Sequence, residues 1–181
     1  DIDLADYEIW KITNGGSWPE YTLNLSGILG DGNVYVISHT SSTVDSIINS
    51  ASDVTWTQAS FNGDDAITLE KDNTIIDIIG KVGEDPGQGW TDDPSAGYTD
   101  ANGGDWWTKR QTLIRKSSVQ NGVTQNPILF DPSLEYDSLP DATYTSLGAH
   151  NCDCFSTSNI SENLTEPSFV LFPNPVSKGS P

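Results

Sequence analysis

Residues Ala66–Ile79, AITLEKDNTIIDII, decide the fold class of this chain. Both ends of the stretch are rich in β-branched residues, and the polar segment Lys71-Asp72-Asn73 between them tolerates the geometry of a tight turn. We therefore predict a β-hairpin with strands Ala66–Glu70 and Thr74–Ile79. Asp77, an acid among isoleucines, is expected either on the solvent face or buried with backbone donors as its partners.

Short runs of the same kind recur before the hairpin, between clusters of Gly, Asn, Asp and Ser. Because no long apolar stripe with helical spacing is visible, this pattern predicts an all-β sandwich or barrel. One short helix is expected at Val44–Ser50. The other predicted strands are Tyr7–Ile12, Tyr21–Leu25 and Val34–Ser38.

The chain is strongly acidic, with 26 Asp and Glu against 8 Lys and Arg, a formal charge of −18 over 181 residues. This charge repels polyanions, which argues against direct binding of nucleic acid. The acids serve either as a solvating surface, the favoured interpretation, or in cation-dependent binding. No apolar run is long enough for a membrane span. Since the chain has no Met and begins in strand-like alternation, we expect it to come from a longer protein with further domains upstream.

The segment from Val82 to Trp107 is rich in Gly, Pro and Asp and holds three tryptophans, which predicts an ordered loop pinned by aromatic rings. The tryptophan rings either pack in the core, as we favour, or form a surface on which sugars stack. Calcium is the one cofactor suggested, since Ca²⁺ uses hard oxygen ligands on a bendable backbone, although no EF-hand spacing is present. Solvated turn aspartates are the alternative. The candidate ligands are Asp92, Asp93, Asp100 and Asp105.

Four of the eight basic residues fall in one short segment, at Lys109, Arg110, Arg115 and Lys116. Two interpretations remain open for this segment. It forms either a patch for an anionic ligand or, as we favour, a strand whose bases pair with neighbouring carboxylates.

No catalytic constellation surrounds His39 or His150, the only histidines, and the chain is predicted not to be an enzyme. Asp64 and Asp65 are adjacent in an extended segment and cannot easily converge on one substrate, so Asp65 is expected to anchor the hairpin. The only cysteines, Cys152 and Cys154, are too few for a disulfide framework or a four-cysteine zinc site. A local disulfide between them is favoured over free thiols or a metal site.

Several motifs taken together resemble the lamin-tail domains of exported Bacteroidota proteins. Residues Phe61–Trp90, FNGDDAITLEKDNTIIDIIGKVGEDPGQGW, resemble the central motif of that family. The segments DIDLADYEIWKI, LNLSGILGDGNVYVISHTSS, WWTKRQTLIRKSSV and SLGAHNCDC resemble its earlier and later parts in the same order. The resemblance covers residues 1–155 and implies an immunoglobulin-like β-sandwich. The family's opening strand has no counterpart here, so we expect an exposed edge, filled by an N-terminal piece or by another copy through strand addition.

The C-terminal end carries a second resemblance. Residues 156–168 have the Ser, Thr and Asn composition of a linker. Residues 169–181, beginning FVLFPNPVSKG, resemble the start of the sorting domain recognised by the type IX secretion system, which implies export through the periplasm to the cell surface or medium. The residues that carry this signal are Phe169, Leu171, Pro173, Asn174 and Pro175. Ser46 and Ser138 fit the Asp-Ser-aliphatic motif of Bacteroidota O-glycosylation.

These patterns favour a non-catalytic binding or spacer module of a larger type IX secretion cargo. Its expected partners are the secretion machinery and the upstream domains of the same protein. One alternative is a structural subunit that assembles by strand exchange into a surface fibre or layer. Another is an accessory domain of an extracellular nuclease or other hydrolase.

Overall fold

The computed structural model describes residues 1–42 and 52–153 of the chain. The regular secondary structure of these residues consists mainly of short strands in antiparallel sheets, and the helical segments among them are the turn Pro132–Glu135 and the 3₁₀ turns Pro94–Ala96 and Asp100–Asn102. The predicted all-β class is confirmed. No helix in the described ranges is long and apolar enough to cross a bilayer. The predicted helix Val44–Ser50 lies outside the described residues.

The strands are short, and several of them differ from the predicted bounds. Tyr7–Ile12 is a strand as predicted, whereas only Ile37–Ser38 of the predicted Val34–Ser38 is extended in a ladder. In chain order the strands are β1 (Ile2–Asp3), β2 (Tyr7–Ile12), β3 (Tyr21–Asn24), β4 (Ile28–Leu29), β5 (Ile37–Ser38), β6 (Val54–Thr55), β7 (Ala66–Lys71), β8 (Thr74–Ile79), β9 (Gln111–Arg115) and β10 (Tyr136–Pro140).

The hairpin predicted from Ala66–Ile79 is confirmed and forms half of the central sheet, whose strand order is β3-β2-β7-β8. Lys71 belongs to β7, so the turn itself is only Asp72 and Asn73, with φ of 49° and 60°. Short polar residues adopt this left-handed geometry most readily after glycine, which explains the position of the turn. The ladder is irregular next to Leu69 and Glu70, where Glu70 pairs with Ile75 and Leu69 with Asp77.

The aromatic part of the core lies on one face of this sheet. Trp90, Phe130 and Tyr136 form the buried aromatic cluster, and the Trp90 and Phe130 rings meet edge to face with centroids 5.3 Å apart. Ile79 of β8 and Leu113 of β9 both pack against the cluster. The antiparallel β9–β10 ladder therefore forms a second layer over the central sheet.

The opposite face of the central sheet carries a different set of side chains. The register places Trp10 of β2 opposite Thr68 of β7, and Glu8 opposite Glu70. Loops around Ser17–Pro19, Val82 and Asn126 border this face. Gly15, at φ 75°, allows two of the loops to approach each other closely, because a Cβ at this position would lie 2.7 Å from the backbone nitrogen of Asp85.

Candidate functional site

A groove of about 680 Å³ lies at the edge of the core. We call it the Lys109 groove. Its floor continues the core through Ile67, Ile79 and Trp90, and its rim carries Phe61, Lys109 and Arg110. Small-ligand sites commonly have this size and this combination of an apolar floor with a few polar groups.

Two loops from distant parts of the chain meet to form the rim. Gly63 has φ of 117°, and a Cβ there would lie 2.7 Å from the Cα of Lys109. The Thr108 hydroxyl donates to the Gly63 carbonyl at 2.5 Å and accepts from the Trp90 backbone nitrogen at 2.9 Å. Glycine is therefore required at position 63 for the two loops to approach this closely.

Asp65 anchors the start of the hairpin, as the sequence predicts. Its carboxylate lies 3.1 Å from the ammonium group of Lys11 on β2, and both side chains are buried. Lys11 also donates to the Ser60 carbonyl at 2.7 Å, which fixes the loop that carries Phe61. Sequence reasoning missed Lys11; its signal is a single basic residue on the inward-facing side of the alternating strand Tyr7–Ile12.

Asp64 contributes negative charge beside this pair. Its Oδ1 atom is buried without a hydrogen-bond partner, while Asn62 donates to Oδ2 at 3.0 Å. Burial, together with the charge of Asp65, raises the pKa of the Asp64 carboxyl. A raised carboxyl pKa at one residue does not by itself imply catalysis.

The three tryptophans of the Val82–Trp107 segment divide between the two roles that the sequence left open. Trp90 is 2% exposed and belongs to the core. Trp106 is 43% exposed, and the Lys109 ammonium group lies 4.2 Å from its ring centroid. Trp107 is half-buried, and its backbone nitrogen donates to the Trp90 carbonyl at 2.9 Å. Trp106 and the 53% exposed Phe61 thus present aromatic surface to solvent near the groove.

The basic residues of the segment Lys109–Lys116 also differ in their contacts. Arg115 binds the Asp77 carboxylate through both terminal nitrogens and reaches Glu135 at 2.5 Å. Asp77 is half-buried and accepts additionally from the Val123 and Ile78 backbone nitrogens, each at 3.0 Å, so it has backbone donors as partners, one of the two environments expected for it. The hydrogen bonds that Arg115 donates to Asp77 are the main cause of the raised pKa of the Arg115 guanidinium, and burial raises the pKa of Tyr136 beside it to about 12. Arg115 is therefore a structural clamp between β8 and β9.

For Lys109 and Arg110, the other interpretation, a patch for an anionic ligand, remains. The Lys109 ammonium donates to the Gln88 side chain and has no carboxylate partner among the described residues. Arg110 is exposed at a positive φ of 52° and likewise has no ion-pair partner there. Neither cation is neutralised by a carboxylate among the described residues, although Lys109 also contacts the Trp106 ring.

The four aspartates proposed as calcium ligands are not assembled into a metal site. No group of three or more His, Cys, Asp or Glu that could hold a metal ion occurs in residues 1–42 and 52–153. Asp93 caps the 3₁₀ turn Pro94–Ala96, accepting from the Ser95 backbone nitrogen at 2.8 Å and its hydroxyl at 2.6 Å. These bonds lower the pKa of the Asp93 carboxyl. Asp100 starts the next 3₁₀ turn, while Asp92 and Asp105 are exposed. Asp93 and Asp100 therefore belong to turns, the alternative expectation for these aspartates.

The remaining predicted residues do not converge on the groove. His150 is exposed, and His39 accepts a hydrogen bond from the Ser41 backbone nitrogen at 3.0 Å. Cys152 is disulfide-bonded. Ser138 lies on β10, where its hydroxyl donates to the Trp107 carbonyl at 2.9 Å. Cys154, Ser46 and the sorting-signal residues Phe169, Leu171, Pro173, Asn174 and Pro175 lie outside the described residues.

No family model, curated protein or solved structure significantly matches this chain.

Proposed function

We propose that this chain is a non-catalytic, exported binding module with an immunoglobulin-like sandwich fold, which binds a short carbohydrate in the Lys109 groove. The observation that carries the proposal is the placement of two exposed aromatic rings, Phe61 and Trp106, near two cations that have no carboxylate partner in residues 1–42 and 52–153. Aromatic faces offer rigid apolar surface for a sugar ring, and Lys or Arg donors orient its hydroxyl groups.

The chemistry of the rim limits the ligand. The overall charge of −18 opposes polyanions at long range, so a neutral or singly charged oligosaccharide is favoured over a polyanionic one. The sandwich assignment rests on the two packed layers around Trp90, Phe130 and Tyr136. Export rests on the resemblance of residues 169–181 to a sorting domain, and cell fractionation of the full-length protein tests it.

The binding claim is tested with a panel of soluble oligosaccharides, using isothermal titration calorimetry. We expect at least one neutral or singly charged member to bind. Trp106→Ala should weaken that binding about tenfold, since one stacked aromatic contact contributes on the order of 1 kcal/mol. Trp18→Ala, which removes an exposed ring far from the groove in sequence, is the matched control and should bind normally. No binding by any member, or equal loss in both variants, would contradict the proposal.

A second candidate function, assembly by strand addition, is favoured by one observation. Strand β3 has a ladder partner only on its β2 side within the described residues, so its other edge is open there. The strand is only four residues long, which limits the ladder that it could form. Light scattering after size-exclusion chromatography distinguishes the two candidates, because strand addition predicts a mass that increases with protein concentration.

A further inference from the structure

The face of the central sheet opposite the aromatic cluster contains a second pocket, of about 410 Å³. We call it the Glu70 pocket. Trp10, Trp18 and Pro19 provide aromatic and apolar walls, and Thr68 and Glu70 of β7 lie among its lining residues. It shares no lining residue with the Lys109 groove.

Glu70 is the unusual residue of this pocket. The side chain is among the most deeply buried of the chain, with 2% of the residue exposed, yet its Oε1 atom has no hydrogen-bond partner. The Thr68 hydroxyl, equally buried, has none either. A buried carboxylate without a donor is costly, and native proteins usually supply one from a partner or a ligand.

A second acid increases the need for a positive charge. The register places Glu8 directly opposite Glu70 across the β2–β7 ladder, where like charges destabilise a sheet. Neither glutamate has an ion-pair partner in the described part of the chain. Glu8 accepts from the Trp10 indole nitrogen at 2.7 Å, which fixes the orientation of that ring.

The aromatic walls suit the same kind of ligand. Trp18 is 77% exposed, compared with 43% for Trp106. Its ring therefore packs little against the rest of the fold. Cations are attracted to the faces of tryptophan rings, and a carboxylate at the base of such a pocket adds a direct ionic contact. The acidic surface of the chain would also attract a basic partner at long range.

We propose that the Glu70 pocket binds the charged end of a lysine or arginine side chain presented by a partner protein. The ammonium or guanidinium group donates to the Glu70 carboxylate and to the Thr68 hydroxyl, while the alkyl stem packs between Trp10 and Trp18. The binding module would then hold a basic segment of a neighbouring protein at this site, independently of any sugar in the Lys109 groove.

The test uses three small probes with the same acetylated and methylamide-capped backbone, carrying arginine, lysine or citrulline. Citrulline has nearly the shape of arginine without its charge. Binding is followed by the NMR shift of the Trp10 indole N–H during titration to about 100 mM, since isolated side-chain contacts give weak affinities. We expect the arginine or the lysine probe to bind at least about tenfold more tightly than citrulline. The tighter of the two identifies the side chain. Equal binding of citrulline, or no binding by either cation, overturns the proposal.

Variants of the chain tie the binding to the pocket. Glu70→Gln preserves shape but removes the charge, and should weaken cation binding about tenfold. Trp18→Ala should weaken it severalfold without affecting folding, because the ring is exposed; this variant keeps the test decisive if Glu70→Gln does not fold. Asp31→Asn, which removes an exposed acid outside the pocket, and Trp106→Ala in the Lys109 groove are the controls. Cation binding unchanged in Glu70→Gln or in Trp18→Ala, or lowered equally by Asp31→Asn, overturns the proposal, whereas loss of sugar binding alone leaves it intact.

Discussion

At the scale of single residues, local chemistry was predictable and distant pairing was not. Asp65 was recognisable as an anchor from its position before a strand, but its partner Lys11 lies far away in sequence. Glu70 was assigned correctly to a strand, yet only the register of β2 and β7 shows that it faces Glu8. The candidate calcium ligands do not form a group of three or more among the described residues, and Asp93 instead binds the backbone of its own turn, as aspartates in turns commonly do.

Asp64 provides a test of the rim electrostatics. Its folded-state pKa is raised, so the folded protein holds the proton more tightly than the unfolded chain, and the carboxylate costs stability as pH rises through that raised pKa. Asp64→Asn should therefore stabilise the protein at pH 7, by roughly 1 kcal/mol for one poorly satisfied buried group. The gain should disappear well below the ordinary carboxyl pKa. Urea unfolding of both proteins between pH 3 and pH 7 measures the difference, and a gain independent of pH would contradict the electrostatic explanation.

At the scale of secondary structure elements, the hairpin was predictable because its signals are contiguous. Alternating β-branched residues and a polar turn specify β7 and β8 without reference to the rest of the chain. Strand β10 was missed because YDSLP carries little strand signal by itself, and its pairing with β9 depends on tertiary packing. Most of Val34–Ser38 is outside any ladder for the converse reason: a favourable local pattern lacks a partner strand.

The turn of the hairpin gives a prediction at this scale. Asn73 has φ of 60°, a conformation that costs an ordinary L-residue about 1 kcal/mol. Asn73→Ala should lower the free energy of unfolding by about that amount, while Asn73→Gly, which has no Cβ, should be nearly neutral. Thermal or urea unfolding of the two variants gives the comparison. Equal destabilisation would mean that the Asn73 side chain, and not its backbone angle, stabilises the turn.

The Arg115 clamp between β8 and β9 gives another prediction at this scale. Arg115→Met keeps much of the side-chain volume but leaves Asp77 and Glu135, both partly buried, without their cation. We expect a loss of about 2 kcal/mol in the free energy of unfolding, discounted from the value for a fully buried pair because water reaches this one. The double variant Arg115→Met with Asp77→Asn should recover part of that loss. No recovery would indicate that the arginine acts by packing on Tyr136 alone.

At the scale of the whole molecule, the described residues form several concave surfaces, of which the Lys109 groove and the Glu70 pocket are separate and differ in chemistry. The Lys109 groove combines two cations with the exposed ring of Phe61, and the Glu70 pocket combines one acid with the rings of Trp10 and Trp18, so the two should select ligands of different chemistry. The sequence predicted the class of this architecture from its strand pattern. It could not predict either surface, because each one joins residues from loops and strands that are distant in the chain.

The most direct test of the central claim is an NMR titration of the isotopically labelled chain with the oligosaccharide that binds best in the calorimetric panel. A non-catalytic module that binds through the Lys109 groove should show shifts concentrated at residues 61–63 and 106–111, and the oligosaccharide should be recovered intact by mass spectrometry. Cleavage of the sugar, or shifts confined to other parts of the chain, would contradict the account.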